Sequence, residues 1–244
     1  MSTKYRSVAK PYQYPECSAD TPRKHALMRQ LIRDHIAYFK KHAAGTYTFV
    51  DLNAGPYYYD RPEGGSNKSK CSSMIFVEEA LAAKIEFNAH LVDADPHIFG
   101  LLNSNIASTH RRLFGVYVHT YCLDNLTFVN SSKVMFAMKP PCGLVIADPI
   151  GVGDNEFNAI SKLGVFPGLD FIMNVNLNAI ARLRVNPRVK HLNHTVRDYI
   201  DRIPRRHKLF DPPAGSRRFS MMVASDNGYI KYAESLGFKK AIAA

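Results

Sequence analysis

The sequence predicts an α/β fold with a mostly parallel central sheet and helices on both faces. Short apolar segments alternate with segments whose apolar residues recur at helical spacing, a pattern typical of right-handed βαβ crossovers. Three of the apolar segments end in an acid, namely Asp51, Asp93 and Asp148. Because the carboxyl ends of parallel strands meet at one edge of a sheet, we expect these acids to converge on one crevice.

The predicted elements follow in order. An N-terminal amphipathic helix is expected over Arg23–Lys41, capped by Thr21 with Pro22 at its first position. Strands are predicted at Tyr47–Leu52, Ala89–Val92, Val116–Tyr121, Leu144–Ala147, Phe171–Val175 and Phe219–Ala224, and a possible last strand at Gly237–Lys240. Further helices are predicted at Cys71–Asn88, Pro96–Thr109 and Asn227–Leu236, with a polar loop over Pro56–Lys70.

Composition limits the organisation of the chain. With 244 residues, 46% of them apolar, the chain is long enough for one domain over residues 1–244. No apolar segment reaches the roughly 18 residues of a membrane span, and we expect a soluble, cytoplasmic protein without membrane contact. The four cysteines form no Cys-x-x-Cys pair, which argues against disulfides and a cysteine-rich zinc site.

Positive charge is concentrated in one stretch. Arg182 to Arg218 holds nine Arg and two Lys against three Asp, or 11 − 3 = +8 of the formal +11. A localised basic surface attracts polyanions by releasing condensed counterions, so this stretch predicts a nucleic-acid partner. A solvated basic face that only favours solubility is the alternative. The stretch is interpreted as a basic helical insertion around residues 178–216.

The turn after the first strand indicates the type of cofactor. The residues from Asp51 to Pro56 contain a single glycine, Gly55, and lack the Gly-x-Gly-x-x-Gly spacing of dinucleotide sites. A cofactor without phosphates, such as S-adenosylmethionine, needs only small residues there. We expect Asp51 with Asn53, Ala54, Gly55 and Pro56 to hold the methionine portion, Asp93 with Ala94 to bind the ribose hydroxyls, and Tyr121, Cys122 and Leu123 to edge the adenine.

In these motifs the chain resembles the class I S-adenosylmethionine-dependent methyltransferases, and among them the three-Cys-motif partner proteins. The resemblance spans about residues 21 to 236 and implies a Rossmann-like methyltransferase fold. Two positions depart from the pattern: Asn53 stands where an aromatic is common, and Tyr57 stands where a glycine completes a Gly-Pro-Gly turn. The motifs that carry the resemblance are Lys24-His25, Phe49 to Pro56, Gly65-Ser66, Asp93, Asp148 to Gly151, Asp170 to Asn174, and Arg182.

Asp148-Pro149 indicates the chemistry. Methyltransferases of adenine or cytosine amino groups carry Asp/Asn/Ser-Pro-Pro-aromatic here, where the acid or amide orients the amine and the aromatic stacks on the flipped base. This chain keeps Asp148 and Pro149, our predicted catalytic residues, and has Ile150-Gly151 in place of the second proline and the aromatic. Tyr57, Tyr58 or Phe157 would then supply the stacking. A turn that merely ends the strand is the alternative interpretation.

Three other chemistries fit the sequence less well. Cys142 follows two prolines, as in cytosine-C5 methyltransferases, but it precedes the strand and belongs at the opposite edge of the sheet. Ribose 2′-O methylation uses a Lys-Asp-Lys-Glu set, of which the chain offers Lys24 and Asp148. His191 and His194 have near-helical spacing but stand among basic residues that disfavour a metal.

The sequence therefore predicts an S-adenosylmethionine-dependent methyltransferase acting on nucleic acid, most specifically on a base amino group of the adenine N6 type. The alternatives are a non-catalytic nucleic-acid-binding protein that retains the fold, and a methyltransferase of protein or small molecules. A partner protein that completes the site is possible, and the sequence does not fix the oligomeric state. Predicted substrate-binding residues are Lys24, Tyr57, Tyr58, Asn174, Asn176, Arg182, Arg205 and Arg206.

Overall fold

The structure, a computed structural model, describes residues 21–59, 69–113, 115, 117–149, 154–176, 201–210 and 220–236. Its helices are α1 (Thr21–His42), α2 (Ser72–Ala83), α3 (Pro96–Thr109), α4 (Asn125–Met138), α5 (Asp154–Leu163) and α6 (Tyr229–Ser235). Its strands are β1 (Tyr47–Asp51), β2 (Tyr58–Tyr59), β3 (Ser69–Lys70), β4 (Phe87–Val92), β5 (Val118–Tyr121), β6 (Gly143–Ala147), β7 (Leu169–Val175), β8 (His207–Phe210) and β9 (Ser220–Ala224).

The central sheet has seven strands in the order β5-β4-β1-β6-β7-β9-β8. The first five in this order are parallel, and β9 runs antiparallel between β7 and β8. Strand order reverses between β1 and β6, the point at which open α/β sheets bind ligands. The predicted, mostly parallel α/β architecture is confirmed.

Two hydrophobic clusters cover the two faces of the sheet. The first joins apolar residues of α1, α2, α3 and α6 to one face of the strands, and includes Phe49, Leu91, Ile146 and Ile172. The second joins α4 and α5 to the other face, and includes the neighbouring strand residues Val50, Val92, Val145 and Met173. Successive strand residues alternate between the faces, as a sheet buried on both sides requires.

Several predicted boundaries were wrong. The helix expected over Cys71–Asn88 ends at Ala83, because Lys84 adopts a left-handed conformation (φ 53°) and the following residues lead into β4. The segment expected as a loop contains the short antiparallel pair β2 and β3. The stretch expected as a helical insertion contains the strand β8, which pairs with β9. The predicted strand at Gly237–Lys240 lies outside the described residues.

The first helix is fixed to its neighbour by charge as well as by apolar packing. Arg29 contacts Glu78 and Glu79 of α2, and Arg33 also contacts Glu79. These pairs hold the helix that carries Lys24 across one face of the sheet. No helix within the described part of the chain is both long and apolar enough to cross a membrane.

Candidate functional site

Four polar residues lie at the carboxyl-end edge of the sheet, on the face covered by α1 and α2. Asp51, Asp93, Asp148 and Asn174 each stand two positions after a strand residue of the first hydrophobic cluster, at Phe49, Leu91, Ile146 and Ile172. The alternation of strand side chains therefore gives the four a common face. The convergence predicted for the three acids is present, because Asp93 and Asp148 both act electrostatically on Asp51.

Asp148 is the centre of the site. Its Oδ2 accepts a hydrogen bond from Nζ of Lys24 at 2.6 Å, and its Oδ1 accepts one from Nδ2 of Asn174 at 2.8 Å. The side chains of Lys24 and Asp148 are both only partly accessible, so they form a part-buried ion pair. A carboxylate offers about four acceptor positions, and these two bonds leave two for other donors.

Lys24, one of the predicted substrate-binding residues, forms the ion pair with Asp148. It lies in the first turn of α1, where the helix macrodipole disfavours a cation, and the Asp148 carboxylate offsets that cost. The neighbouring His25 is half-buried, and burial followed by the charge of Lys24 lowers its pKa to about 4. At neutral pH the ion pair therefore stands beside an uncharged imidazole.

Asn53 connects the first turn to Asp148. Its Oδ1 accepts the backbone N–H of Asp148 at 3.1 Å, and its Nδ2 donates to Glu156 at 2.9 Å. The same Glu156 oxygen accepts a bond from Asn125 at 3.0 Å. An aromatic at position 53 makes neither bond, which explains this departure from the pattern. Sequence reasoning missed Glu156, and its only signal was an acid in the first turn of α5.

Asp51 lies beneath the turn and is fully buried. It accepts hydrogen bonds from Oγ of Ser72 at 2.6 Å and from the backbone N–H of Asn53 at 3.1 Å. Burial raises the pKa of Asp51 to about 7, against the lowering effect of these two bonds. The expected direct contact of this carboxylate with a methionine ammonium is replaced by a supporting role below Asn53.

Asp93 orders the turn on the β4 side. One of its oxygens accepts the N–H of Gly55 and the other that of Asp95. Burial raises its pKa, although both bonds act against the shift. Gly55 has a left-handed backbone (φ 62°), and the carbonyl of the next residue, Pro56, accepts a bond from Asn105 at 2.6 Å. Together with the buried Ala54, these residues form a small-residue turn beside the Asp93 carboxylate.

The prediction that Tyr57 stacks on substrate was wrong. Its backbone has the left-handed conformation (φ 75°) that glycine adopts most readily, and its ring is fully buried in the first hydrophobic cluster. There it meets His110 edge to face, with ring centroids 6.0 Å apart. Phe157, the other buried candidate, belongs to the second cluster. Tyr58 is half-buried and remains the stacking candidate of the three.

The residues expected at the adenine edge follow β5, next to Asp93. The backbone N–H of Asp93 bonds to the carbonyl of Tyr121, which places the two strand ends side by side. Beyond Tyr121, Cys122 is exposed and Leu123 half-buried, and Ala94 on the neighbouring strand end is exposed. The hydroxyl of Tyr121 is engaged in a hydrogen bond with His90 at 2.9 Å, so a ligand would contact the ring of Tyr121 rather than its hydroxyl.

Two predicted substrate-binding arginines lie elsewhere. Arg205 is buried and its guanidinium donates to the carbonyls of Gly164, Phe166 and Pro167, so it fastens β8 to the loop before β7. Arg206 is exposed but precedes β8 at the amino-end edge, because His207 pairs with Ala224 and Ala224 with Phe171 near the start of β7. Asn176 follows β7 at the crevice edge, and Arg182 is outside the described residues.

Cys142 also lies at the amino-end edge, as its position before β6 predicted. It lines a cavity of about 240 Å³ together with His35, Tyr38, His42 and Asp170. Burial and then the charge of Asp170 raise the pKa of the thiol, which keeps it protonated. His35 and Asp170 bond to each other at 3.0 Å inside the core. No metal-binding group of His, Cys, Asp or Glu occurs among the described residues, and His191 and His194 lie outside them.

No family model matches the chain, and no curated protein matches it. Among solved structures it is similar to protein LPL1258 of Legionella pneumophila, of family DUF519, with 14% identity over 86% of this chain and 90% of that chain and a TM-score of 0.52. It also aligns with the human methyltransferase 10 domain containing protein, with 9% identity, 88% and 85% coverage and a TM-score of 0.42. A third match is the plantazolicin methyltransferase BpumL, with 8% identity, 86% and 88% coverage and a TM-score of 0.46.

The first of these likenesses shows a shared fold. Together with the strand order and the antiparallel β9, it confirms the α/β fold with a mostly parallel central sheet that the sequence predicts.

Proposed function

We propose that this protein is an S-adenosylmethionine-dependent methyltransferase that acts on a base amino group of nucleic acid, of the adenine N6 type. The observation that carries the proposal is the Asp148 carboxylate, held between Lys24 and Asn174 at the switch point of the sheet. A carboxylate fixed there is placed to orient a methyl acceptor in the crevice where this fold binds its ligands.

The residues of the first turn fit the cofactor. Asp93 is half-buried, with each oxygen bonded to one backbone N–H, which leaves acceptor positions for two ribose hydroxyls. The turn from Asn53 to Pro56 presents small side chains, and the bulky ring of Tyr57 lies in the core rather than over the turn. Tyr121, Cys122 and Leu123 would edge the adenine.

The mechanism assigns distinct work to the residues of this chain. Bound S-adenosylmethionine supplies a methyl group on a sulfonium centre. Asp148 would accept an N–H of the amine and so direct the nitrogen lone pair towards that methyl, while Pro149 restricts the backbone of Asp148. Lys24 keeps the carboxylate in place, and Asn53 holds its backbone. Catalysis then rests on proximity and orientation, effects worth several orders of magnitude in rate.

The basic stretch supports the choice of nucleic acid. Arg182 to Arg218 carries a net charge of +8, which suits a phosphate backbone. The exposed Arg206 of this stretch lies at the amino-end edge of the sheet, away from Asp148, so it would contact the phosphate backbone rather than the reacting base. This position of the positive charge is compatible with a partner protein that completes the substrate site.

Titration of S-adenosylmethionine into the purified protein tests the cofactor. We expect binding that Asp93→Ala weakens by about tenfold or more, since two hydroxyl bonds to a carboxylate are lost. Asp95→Asn is the matched control, because this neighbouring carboxylate caps α3 through bonds that an asparagine also makes. Absence of binding at millimolar cofactor would instead favour the non-catalytic scaffold.

Incubation with tritiated S-adenosylmethionine and pools of DNA and RNA tests the acceptor. We expect label in the nucleoside fraction, and label only in added protein or small molecules would contradict the proposal.

A further inference from the structure

Asn174 carries a buried oxygen with no partner. Its side chain is 7% exposed, and its Nδ2 donates to Asp148 at 2.8 Å. Its Oδ1 has no hydrogen-bond partner among the described residues, although the atom is buried. An unsatisfied buried carbonyl costs about 1–3 kcal/mol, so such a group in a native site calls for a ligand that pairs with it.

The orphan oxygen belongs to the site. The Nδ2 and Oδ1 of Asn174 share one planar amide, so the bond from Nδ2 to Asp148 places Oδ1 beside the same carboxylate. Both residues stand on the face of the sheet shared with Asp51 and Asp93. Two adjacent acceptors, one charged and one neutral, therefore lie at the end of neighbouring strands β6 and β7.

We propose that Asn174 and Asp148 each accept one hydrogen of a primary amine, and that this pair selects an –NH₂ acceptor and a monomethyl product. The inference rests on the proposed function and defines its substrate class further. The amine nitrogen has two hydrogens, and with both engaged its lone pair points out of their plane towards the donor methyl. Asn174 is then a specificity residue that touches substrate.

The chemistry balances within the site. The nitrogen lone pair forms the new N–C bond, and the S–C bond breaks with its electron pair remaining on sulfur, which yields the neutral thioether. The proton that the nitrogen must lose passes to the Asp148 carboxylate. The product nitrogen has one hydrogen left, so one of the two acceptors is unpaired again and a second transfer is disfavoured.

A hydroxyl acceptor fits this geometry less well. It has one hydrogen and leaves either Asp148 or Asn174 unsatisfied. The site for 2′-O methylation would also need a second lysine, whereas the strand beside Asp148 supplies the amide of Asn174. The number of hydrogens on the acceptor therefore discriminates between the two reactions.

The test compares wild type with Asn174→Leu, which keeps the volume and removes both polar atoms. Each is incubated with tritiated S-adenosylmethionine and pooled DNA and RNA oligonucleotides, and the nucleosides are identified by mass spectrometry. We expect wild type to yield N-monomethyl nucleoside without dimethyl or 2′-O-methyl product. We expect Asn174→Leu to lose about tenfold or more in kcat with cofactor affinity unchanged, since one substrate hydrogen bond is lost.

Asn174→Ser guards against a folding defect, because its hydroxyl oxygen restores an acceptor, and we expect it to recover part of the Asn174→Leu loss. A structural role for Asn174 would lower the melting temperature and the cofactor affinity of Asn174→Leu together with its kcat, and that result overturns the inference. A 2′-O-methyl product, or unchanged kcat in a folded Asn174→Leu, overturns it as well. If wild type binds no cofactor, the proposed function itself fails. The other outcomes contradict only the role assigned to Asn174, so the two failures can be told apart.

Discussion

The ammonium of Lys24 lies 2.6 Å from Oδ2 of Asp148, although 124 residues separate them in the chain. The contact joins the first turn of α1 to the carboxyl end of β6. It fixes one oxygen of the carboxylate and leaves the side shared with Asn174 for the acceptor. In the proposed mechanism, this pair therefore holds the carboxylate while the side near Asn174 receives the methyl acceptor.

The division predicts separate effects on binding and turnover. We expect Asp148→Ala to bind cofactor like wild type and to lose turnover, because the acceptor loses its orienting group. Lys24→Met should lower kcat less severely, and Lys24→Arg should retain most of it, since the cation is kept. Calorimetry and single-turnover assays measure the two quantities. Loss of cofactor affinity in Asp148→Ala as large as in Asp93→Ala would contradict the assignment.

Asp51 predicts a pH-dependent cost of folding. Its pKa is about 7 in the folded protein against 3.8 for the ordinary group. Between pH 4 and pH 7 Asp51 is protonated in the folded state and ionised in the unfolded state. The contribution of Asp51 to the free energy of unfolding therefore falls as pH rises from about 4 to 7 and then stays constant. Asp51→Asn should therefore be more stable than wild type by on the order of 4 kcal/mol at pH 8, with the difference vanishing near pH 4. Urea unfolding of both proteins across this range measures it, and a difference independent of pH would refute the explanation.

Gly143 predicts a steric limit in the sheet. A Cβ built at this residue would lie 1.9 Å from the carbonyl oxygen of Thr48 on β1, so any side chain forces the two strands apart. We expect Gly143→Ala to lower the free energy of unfolding by about 3 kcal/mol or more. Gly100→Ala is the control, because that helical position has open space and alanine there should stabilise by about 0.5–1 kcal/mol. Similar melting temperatures for the two variants would show that the strands adapt.

Arg205 and Arg206 predict opposite outcomes from the same substitution. Arg205→Ala removes a buried guanidinium that donates to the carbonyls of Gly164, Phe166 and Pro167, and it should cost about 3 kcal/mol of stability. Arg206→Ala removes an exposed side chain, so its melting temperature should match that of wild type. Thermal unfolding compares the two. A stable Arg205→Ala protein with weakened nucleic-acid binding would restore the role first predicted for this residue.

Much of the architecture could be predicted because it depends on local patterns. Strand alternation placed Asp51, Asp93 and Asp148 at one edge, and the position of Cys142 before its strand placed the thiol at the other. These predictions need only periodicity and the polarity of parallel strands. The strand β8 escaped prediction, since its four residues sit in a basic stretch without an apolar alternation.

The individual contacts of the site depend on tertiary geometry. Nothing local to Lys24 shows that α1 begins beside the end of β6, and nothing local to Glu156 shows that it bonds to Asn53. From the sequence, Tyr57 looks like an exposed aromatic residue of a loop. In the structure its φ angle is positive and its ring is buried in the core. Arg205 differs from its neighbour Arg206 only in what the fold places around it.

The inward ring of Tyr57 has a consequence for the order of folding. Its left-handed backbone costs about 1–2 kcal/mol, which only the packed ring offsets. The ring contacts His110, which follows α3, and the carbonyl of Tyr57 accepts the N–H of Cys71, which caps α2. The turn therefore reaches its final shape after those helices have docked. We expect Tyr57→Ala to accelerate unfolding and to leave the refolding rate nearly unchanged in stopped-flow experiments, which would place the packing of this ring late in folding.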